Sequence, residues 1–356
     1  MNTNETFATE VPTRWVGPLR VSGDAVAPTG QHIEISVPLA TYETPLWPSV
    51  GRGASISREI EGGIRTVVVD ERMTRSVLFV TQSALVAQHG ADIIAQRYEE
   101  LQQVVSAASR YARLIEAHPE IVGNLLFVRF AYNTGDASGH NMATAASEAV
   151  MQRILSWNIG LEYGSISGNY CSDKKATAVN GILGRGRSVV AEILLPHEVV
   201  ERRLRTTAQE LTDLVVRKNL VGSTIAGALR SANAHYANML LAFYLSTGQD
   251  AANIVEGSQG ITYAEVRDEG LYFSCTLPHL IVGTVGNGKH LAHVNDALEK
   301  LGCREEREPG QNSSRLAALI AATVLCGELS LLAAQTNPGE LMATHVLMER
   351  KERSGS

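Results

Sequence analysis

A chain of 356 residues, 44% hydrophobic and 19% charged, has enough apolar material for a generous core and more than one domain, which argues against a disordered or fibrous protein. Its net charge of -6, with acids and bases mixed along the chain, excludes a broad basic face for nucleic acid or an anionic membrane, so a polyanionic ligand needs a local site. The four cysteines, Cys171, Cys275, Cys303 and Cys326, are far apart without C-x-x-C spacing; they imply neither a metal site nor a disulfide framework, and the expected compartment is cytoplasmic.

The first residues, MNTNETFATEVPTRW, carry acids and no apolar run of signal-peptide length, so no targeting segment is expected, and residues 1–36 read as irregular. Two β-branched runs, Thr66-Val67-Val68-Val69 and Val77-Leu78-Phe79-Val80, flank charged residues 70–75, which predicts two strands joined by a loop. Between residues 91 and 113, Ile94, Tyr98, Leu101, Val105 and Ala108 recur at steps of four and three, with Glu99 and Glu100 off that face; this predicts one amphipathic helix.

LLFVRFA at residues 125–131 predicts a strand, followed by Asn133-Thr134-Gly135-Asp136-Ala137-Ser138-Gly139 and a helical pattern over residues 141–155. Strand, glycine turn and helix start suit a phosphate, because backbone N–H groups and the helix dipole both favour an anion. The same turn also reads as an ordinary strand-to-helix connection, and it lacks the G-x-G-x-x-G of a doubly wound dinucleotide fold. GILGRGRS at residues 181–188 leads into a strand at 189–194, and a long helical region is expected over 197–217. Small residues over 222–242 predict close helix packing in a core. Residues 316–334 approach membrane-span length, but Glu328 and the Ala and Ser content predict a buried helix.

Four polar segments carry candidate chemistry: PLATYE at 38–43 with Ser49 and Arg52, SISGNYCSDKK at 165–175, SANAHYAN at 231–238 with Gly248-Gln249-Asp250, and GTVGNG at 283–288. Taken singly, each has an ordinary reading. Glu43 alone is a surface carboxylate, Lys174-Lys175 a solvated pair, Asp250 a cap or turn residue, and His345 an exposed imidazole.

Together, PLATYE, SGNYCSDKKATAVNGILGRG, KNLVGS, SANAHYAN, GQDAAN and GTVGNGK, in this order, resemble the 3-hydroxy-3-methylglutaryl-coenzyme A (HMG-CoA) reductase family, over nearly everything from Val16 onward. SGNYC-x-DKK is the specific part, and the pattern looks like a short, soluble, bacterial-type member of class I. The resemblance implies an α+β fold in which a large HMG-CoA-binding domain, residues 1–75 and 164–356, is interrupted by a small ferredoxin-like NADPH-binding domain, residues 76–163. It implies four-electron reduction of HMG-CoA to mevalonate and free CoA, with NADPH used twice per turnover.

The resemblance assigns catalysis to Glu43, Lys174, Asp250 and His345. In those roles Lys174 is the cation facing the carbonyl oxygen that gains charge, Glu43 a proton donor with a carboxyl raised by burial, Asp250 the group holding both, and His345 the acid for the departing thiolate. It gives the HMG pocket to Arg75, Ser167, Asn169, Lys175, Lys218, His235 and Asn238, and CoA contacts to Ser49 and Arg52. It gives the cofactor Asp136, Ala137, Ser138, Gly139, Asn141 and Gly286, with Ser109 and Arg110 at the 2'-phosphate. It further implies a homodimer or dimer of dimers in which Lys174 meets Glu43 and Asp250 of a second copy.

Departures from the family pattern fall at residues 12–19, at Thr44-Pro45-Leu46-Trp47-Pro48, and at Ser55, where an arginine often helps bind CoA. Glu349-Arg350-Lys351 occupies the place of the regulatory phosphoserine of animal members, so that control is not expected here. The rival readings are an acyl-CoA transferase or lyase using Lys174 and His345, and a catalytically dead CoA-binding relative. The cofactor turn with Ser109-Arg110 argues against the first, and four chemically competent catalytic positions argue against the second.

Overall fold

The computed structural model describes residues 9–343 and Val346. Strands β1 (Thr13–Ser22) and β2 (His32–Ala40) pair antiparallel and lead to helix α1 (Leu46–Ser57). Then come β3 (Ile64–Val80), α2 (Ala84–Gln96), α3 (Tyr98–Ala108), β4 (Arg113–Val122), β5 (Leu125–Asn133), α4 (His140–Leu155) and β6 (Glu162–Ser165). The remainder is built from β7 (Gly186–Pro196), α5 (Tyr236–Ser246), β8 (Ile261–Arg267), β9 (Gly270–Leu280) and α6 (Gln311–Thr336), with shorter helical turns between them.

These strands make one mixed, nine-stranded sheet in a mixed α/β protein. Its main path runs β2-β1-β3-β7-β9-β8, with β5 and β6 also on β3 and β4 on β5. Among the strands of the described residues, only β1 and β3 pair in parallel, and only through a short stretch; the other strand pairs are antiparallel.

Residues 64–80 are one strand of 17 residues, not two strands and a loop. The charges that resemble a turn are paired sideways and stay in the ladder. Arg72 bonds Asp70 at 2.7 Å and Glu116 at 2.9 Å, and Glu71 accepts from Arg187 at 2.8 Å. Up to Arg72 the strand pairs with β7, and from Met73 onward it pairs with β5.

Two hydrophobic cores lie on either side of that crossover. In the first, α6 packs with α1, α5 and the β7-β9 strands, burying residues such as Val50, Phe243, Phe273 and Leu325. In the second, α2, α3 and α4 cover β3 and β5 through Ile94, Val105, Val150, Phe79 and Phe130. Helix α6 is long and apolar enough to cross a membrane by composition, yet nearly all of it is buried in the first core, as its Ala and Ser content and Glu328 predict.

Three helical expectations need correction. The pattern over 91–113 is two helices broken at Arg97, whose backbone (φ -101, ψ 24) leaves the helix while its guanidinium bonds Glu100 at 2.7 Å and stacks 4.2 Å from the Trp157 ring. Ile94, Leu101 and Val105 are nevertheless buried as their spacing predicts. The region 197–217 breaks at Arg205, held at φ 58, and restarts at Ala208 behind a capping box of Thr207 and Glu210. Residues 224–230 are exposed, with Ile225 84% exposed; packing starts further along, where Ala232 bridges Ile261, Ala234 lies against the first core and Tyr236 is fully buried.

Candidate active site

The loop between β6 and β7 is held in an unusual backbone. Asn169, Ser172 and Lys174 have φ of 63, 53 and 54, a left-handed region that L-residues adopt at a cost of roughly 1 kcal/mol or more each unless the surroundings over-determine it. Here the surroundings do. Asn180 donates to the Ser172 carbonyl at 3.0 Å, the Ser172 and Thr177 hydroxyls bond each other, and Arg185 donates to Asp173 at 2.6 Å. The N–H of Lys174 itself is received by Glu256 at 3.1 Å.

So positioned, Lys174 Nζ lies 2.7 Å from Asp250 Oδ2. Asp250 is in turn fixed by accepting the Ala252 N–H at 3.0 Å, as the cap of a short helical turn. The hydrogen bond and charge of Asp250 raise the Lys174 ammonium above its ordinary value, so it stays cationic. Burial alone would raise Asp250, but the Lys174 bond and the Ala252 N–H prevail and hold it below the usual carboxylate range. Burial likewise works against Asp173, and its bond with His140 and the Arg185 charge overcome it and hold the carboxyl far below that range. Glu256, fully buried, is pushed upward by burial.

This pair forms within one chain, whereas the resemblance implies that Lys174 meets Asp250 of a second copy. Both groups stand on loops anchored in the same core, and Glu256 ties them together by also accepting from Asn253 at 2.9 Å, three residues past Asp250.

Glu43 lies elsewhere. It is exposed, is not bonded to Lys174 or Asp250, and accepts from Asn238 at 2.8 Å at the mouth of a cavity of about 210 Å3. Ser49, Arg52 and His235 line the same cavity. The donors of Arg52 are already engaged, with the Arg203 carbonyl at 3.0 Å and Glu340 at 3.1 Å. His235 is set by its N–H to Glu328 at 3.1 Å and by its ring to the Gly327 carbonyl at 3.0 Å. Lys218 is half-buried and feels the Glu328 charge, which opposes the lowering of its ammonium by burial.

The remaining substrate candidates cluster on the Lys174 side. Arg75 donates to Ser167 at 3.3 Å and to Thr144 of α4 at 2.6 Å, and Lys175 reaches the Asp173 carbonyl at 3.1 Å; Asn169 is exposed on the same loop. One chain thus holds its candidate residues in two groups, and among the described residues no hydrogen bond or ion pair joins them. His345 lies outside the described residues.

The turn after β5 meets the GTVGNG loop directly. Thr284 N–H donates to the Asp136 carbonyl at 2.8 Å, and Ala137 bridges Val285. Gly139 starts α4 at φ 93, a conformation that favours glycine, and the first turn of α4 carries neither an acid nor a side-chain cap, leaving its N–H groups for an anion. Ser138 is half-buried beside it, while Asn141 and Gly286 are exposed. The Asp136 carboxylate is spoken for: it accepts Gly310 N–H at 3.0 Å and Ser313 N–H at 2.9 Å at the start of α6. Its side chain clasps the turn to that helix. Arg110 is exposed, and the Ser109 hydroxyl accepts the Ala112 N–H at 3.0 Å.

Residues 4–350 match the family Hydroxymethylglutaryl-coenzyme A reductase. The chain belongs to the hydroxymethylglutaryl-coenzyme A reductase family. It is similar to the 3-hydroxy-3-methylglutaryl-coenzyme A reductase of Aeropyrum pernix, 43% identical over 349 residues that cover 98% of this chain and 81% of the relative. The reductase of Pyrococcus abyssi is also 43% identical, over 91% of this chain and 79% of that one. Among solved structures, the class II HMG-CoA reductase of Streptococcus pneumoniae bound to NADPH superposes with a TM-score of 0.72 at 21% identity, covering 94% of this chain and 88% of that chain, which shows a shared fold.

Several residues of this reductase fold escape a reading of motifs. Arg185 and Arg187 sit in the glycine-rich run that leads into a strand, and both are buried. Arg203, whose carbonyl receives Arg52, donates to Ser55 at 2.7 Å and so brings a cation to the position where the family often has an arginine. Its signal was the ERRLR run at residues 201–205. Glu328, fully buried in α6, accepts from Ala234 N–H at 2.6 Å, from His235 N–H, and from Thr262 at 2.8 Å, and thereby shapes the SANAHYAN segment. A lone acid in an apolar helix was its signal.

Proposed function

We propose that this chain reduces the thioester of HMG-CoA to mevalonate and free CoA with NADPH, as a cytoplasmic enzyme of the mevalonate pathway. The observation that carries the reading is the Lys174–Asp250 pair at 2.7 Å on a loop tied, through His140 and Asp173 at 3.4 Å, to the first residue of α4 beside the candidate cofactor turn. Family membership and the 43% identical archaeal reductases support it.

A bound reduced nicotinamide supplies the hydride for each of the two reductions. Lys174, kept charged by Asp250, places a cation at the carbonyl oxygen, where negative charge grows in both steps; such preorganised stabilisation is typically the largest single catalytic contribution. Glu43 delivers a proton to that oxygen, and His345 protonates the CoA thiolate so that it does not re-add. Arg75, Ser167, Asn169, Lys175, Lys218, His235 and Asn238 hold the HMG part, and Ser49 and Arg52 the CoA part. Asp136, Ala137, Ser138, Gly139, Asn141 and Gly286 form the cofactor cleft. The exposed guanidinium of Arg110 next to Ser109 suits a 2'-phosphate and favours NADPH over NADH.

The functional unit in this reading is a homodimer or dimer of dimers, with each site drawing Glu43 and its cavity from one copy and the Lys174–Asp250 pair from the other. Support comes from the separation of the two groups in one chain and from the apolar surface at Leu220, Val221, Ile225 and Leu229, each more than half exposed. Residues 76–163 form the inserted ferredoxin-like NADPH-binding domain. The strand order β6-β3-β5-β4, all antiparallel, and the separate core under α2, α3 and α4 support that assignment. Membership of class I rests on the resemblance of the SGNYC-x-DKK loop to that class.

Purified protein given HMG-CoA with NADPH or NADH tests this, beside Lys174→Ala. The expected result is oxidation of NADPH in a two-to-one ratio to substrate, slower use of NADH, and loss of turnover in the variant. Binding of HMG-CoA without oxidation of either cofactor would overturn it and favour an acyl-CoA chemistry without redox.

A further inference from the structure

Arg185 and Arg187 stand on either side of Gly186 at the entry to β7, 1% and 3% exposed. Gly186 takes φ 76, and a Cβ there would lie 2.7 Å from the Leu280 carbonyl oxygen, so the chain can make this bend only with glycine. The bend sends the two guanidiniums to different places.

Arg185 reaches the lysine loop and its surroundings. It donates to Asp173 at 2.6 Å and to the Thr74 carbonyl at 2.8 Å and hydroxyl at 2.9 Å, and its Nε faces Glu256 at 3.9 Å. Glu256 in turn receives the backbone N–H of Lys174. The residue before Lys174 and the amide of Lys174 are therefore both fixed from one buried ion pair, which is what a left-handed lysine needs to keep its ammonium in one place.

Arg187 reaches the other half. It donates to the Gly135 carbonyl at 2.7 Å in the turn, to the Val282 carbonyl at 2.9 Å just before the GTVGNG loop, to Ser313 at 2.5 Å in α6, and to Glu71 at 2.8 Å in β3. One guanidinium thus holds the turn, the glycine loop and the clasping helix at fixed distances. A lysine could not do this, since its single ammonium lacks the planar fork.

We propose that these two arginines are positioning residues that divide the site between them: Arg185, with Glu256, sets the reach of Lys174, and Arg187, with Glu71, sets the cofactor turn. The inference rests on the roles given above to Lys174 and to residues 135–139. It goes beyond them in assigning separate kinetic consequences to neighbouring residues that touch neither substrate nor cofactor.

The test is steady-state kinetics of Arg185→Lys and Arg187→Lys with HMG-CoA and NADPH, together with circular dichroism and NADPH binding followed by its fluorescence. Because a displacement of about 1 Å can cost on the order of a hundredfold, Arg185→Lys should lower kcat by about that factor while NADPH affinity stays within about twofold. Arg187→Lys should weaken NADPH about tenfold in both KM and direct binding, with kcat at saturation within about threefold. Both variants moving the same parameter, or neither moving any, overturns the division. Where a lysine variant loses its fold, Glu256→Met and Glu71→Met must give the same split. Loss of fold in all four also overturns it, since such residues would hold the molecule and not the site. Lys174→Ala in the same assay separates the two levels: near-normal turnover there sinks the role of Lys174 whatever the arginines do.

Discussion

Lys174 and Asp250 form a 2.7 Å ion pair across two loops of the same chain. The pairing raises Lys174, first through the Asp250 hydrogen bond, while Asp250 stays below the carboxylate range despite burial. A raised lysine contributes stability in full below its unfolded pKa and loses it as pH rises through the higher folded value. A lowered aspartate contributes above its unfolded pKa and loses it as pH falls through the lower folded value. The pair is therefore intact from weak acid to weak alkali. In Asp250→Asn the lysine loses the partner that raises it, so the alkaline limb of kcat set by Lys174 should move to lower pH, back toward the ordinary lysine pKa of ~10. A rate profile in which the limb does not move contradicts this role for Asp250.

If Glu43 and Lys174 act from different copies, two dead variants should rescue each other. Glu43→Gln and Lys174→Ala, co-expressed with separate tags, form mixed dimers in which one site has both native groups. Roughly a quarter of wild-type activity is expected in an unbiased mixture of dimers. A mixture no more active than its parents places both groups in one chain's site.

The clasp of Asp136 on α6 gives a stability prediction that needs no substrate. Asp136→Ala removes the acceptor for the Gly310 and Ser313 N–H groups, at a cost of about 1–2 kcal/mol, comparable to losing a helix cap. Urea unfolding should show a lower midpoint, and NADPH binding should weaken because the turn loses its anchor. An unchanged midpoint would mean that water replaces the carboxylate without penalty.

Glu328 is the more severe case, because its carboxylate is wholly buried and receives several donors. Glu328→Leu leaves those donors without an acceptor and should cost about 3 kcal/mol or more, whereas Glu328→Gln keeps an oxygen and should cost less. The HMG-CoA KM should rise in both, since His235 and Asn238 follow the segment that Glu328 shapes. Equal stability of the two variants would argue against a hydrogen-bonding role.

What could be read in the sequence was whatever depends on local pattern. The strand over 125–131, the helix after it, and the burial of Ile94, Leu101, Val105 and residues 316–334 follow from spacing and composition. The catalytic candidates Lys174 and Asp250 were legible only through their shared motif context, far apart in the chain, and meet because two loops converge. Charge pairing across the fold was not legible. Residues 70–75 resemble a turn until Glu116 and Arg187 arrive to neutralise them, and nothing in the run leading to β7 signals that Arg185 and Arg187 will be buried against Asp173 and Glu71. The exposed residues 224–230 misled for the reverse reason: small side chains permit close packing, but they do not supply a neighbour.

Strand β3 belongs to both cores, pairing with β7 up to Arg72 and with β5 from Met73. The two halves of the molecule are therefore not modules that could be swapped between relatives by cutting at a linker. A graft at residue 75 or 76 would sever a ladder in mid-course and leave Arg72 and Arg75 facing partners of another protein. Point changes at exposed positions such as Arg110 leave that ladder intact, whereas wholesale transplantation of residues 76–163 should yield chains that misassemble at the seam.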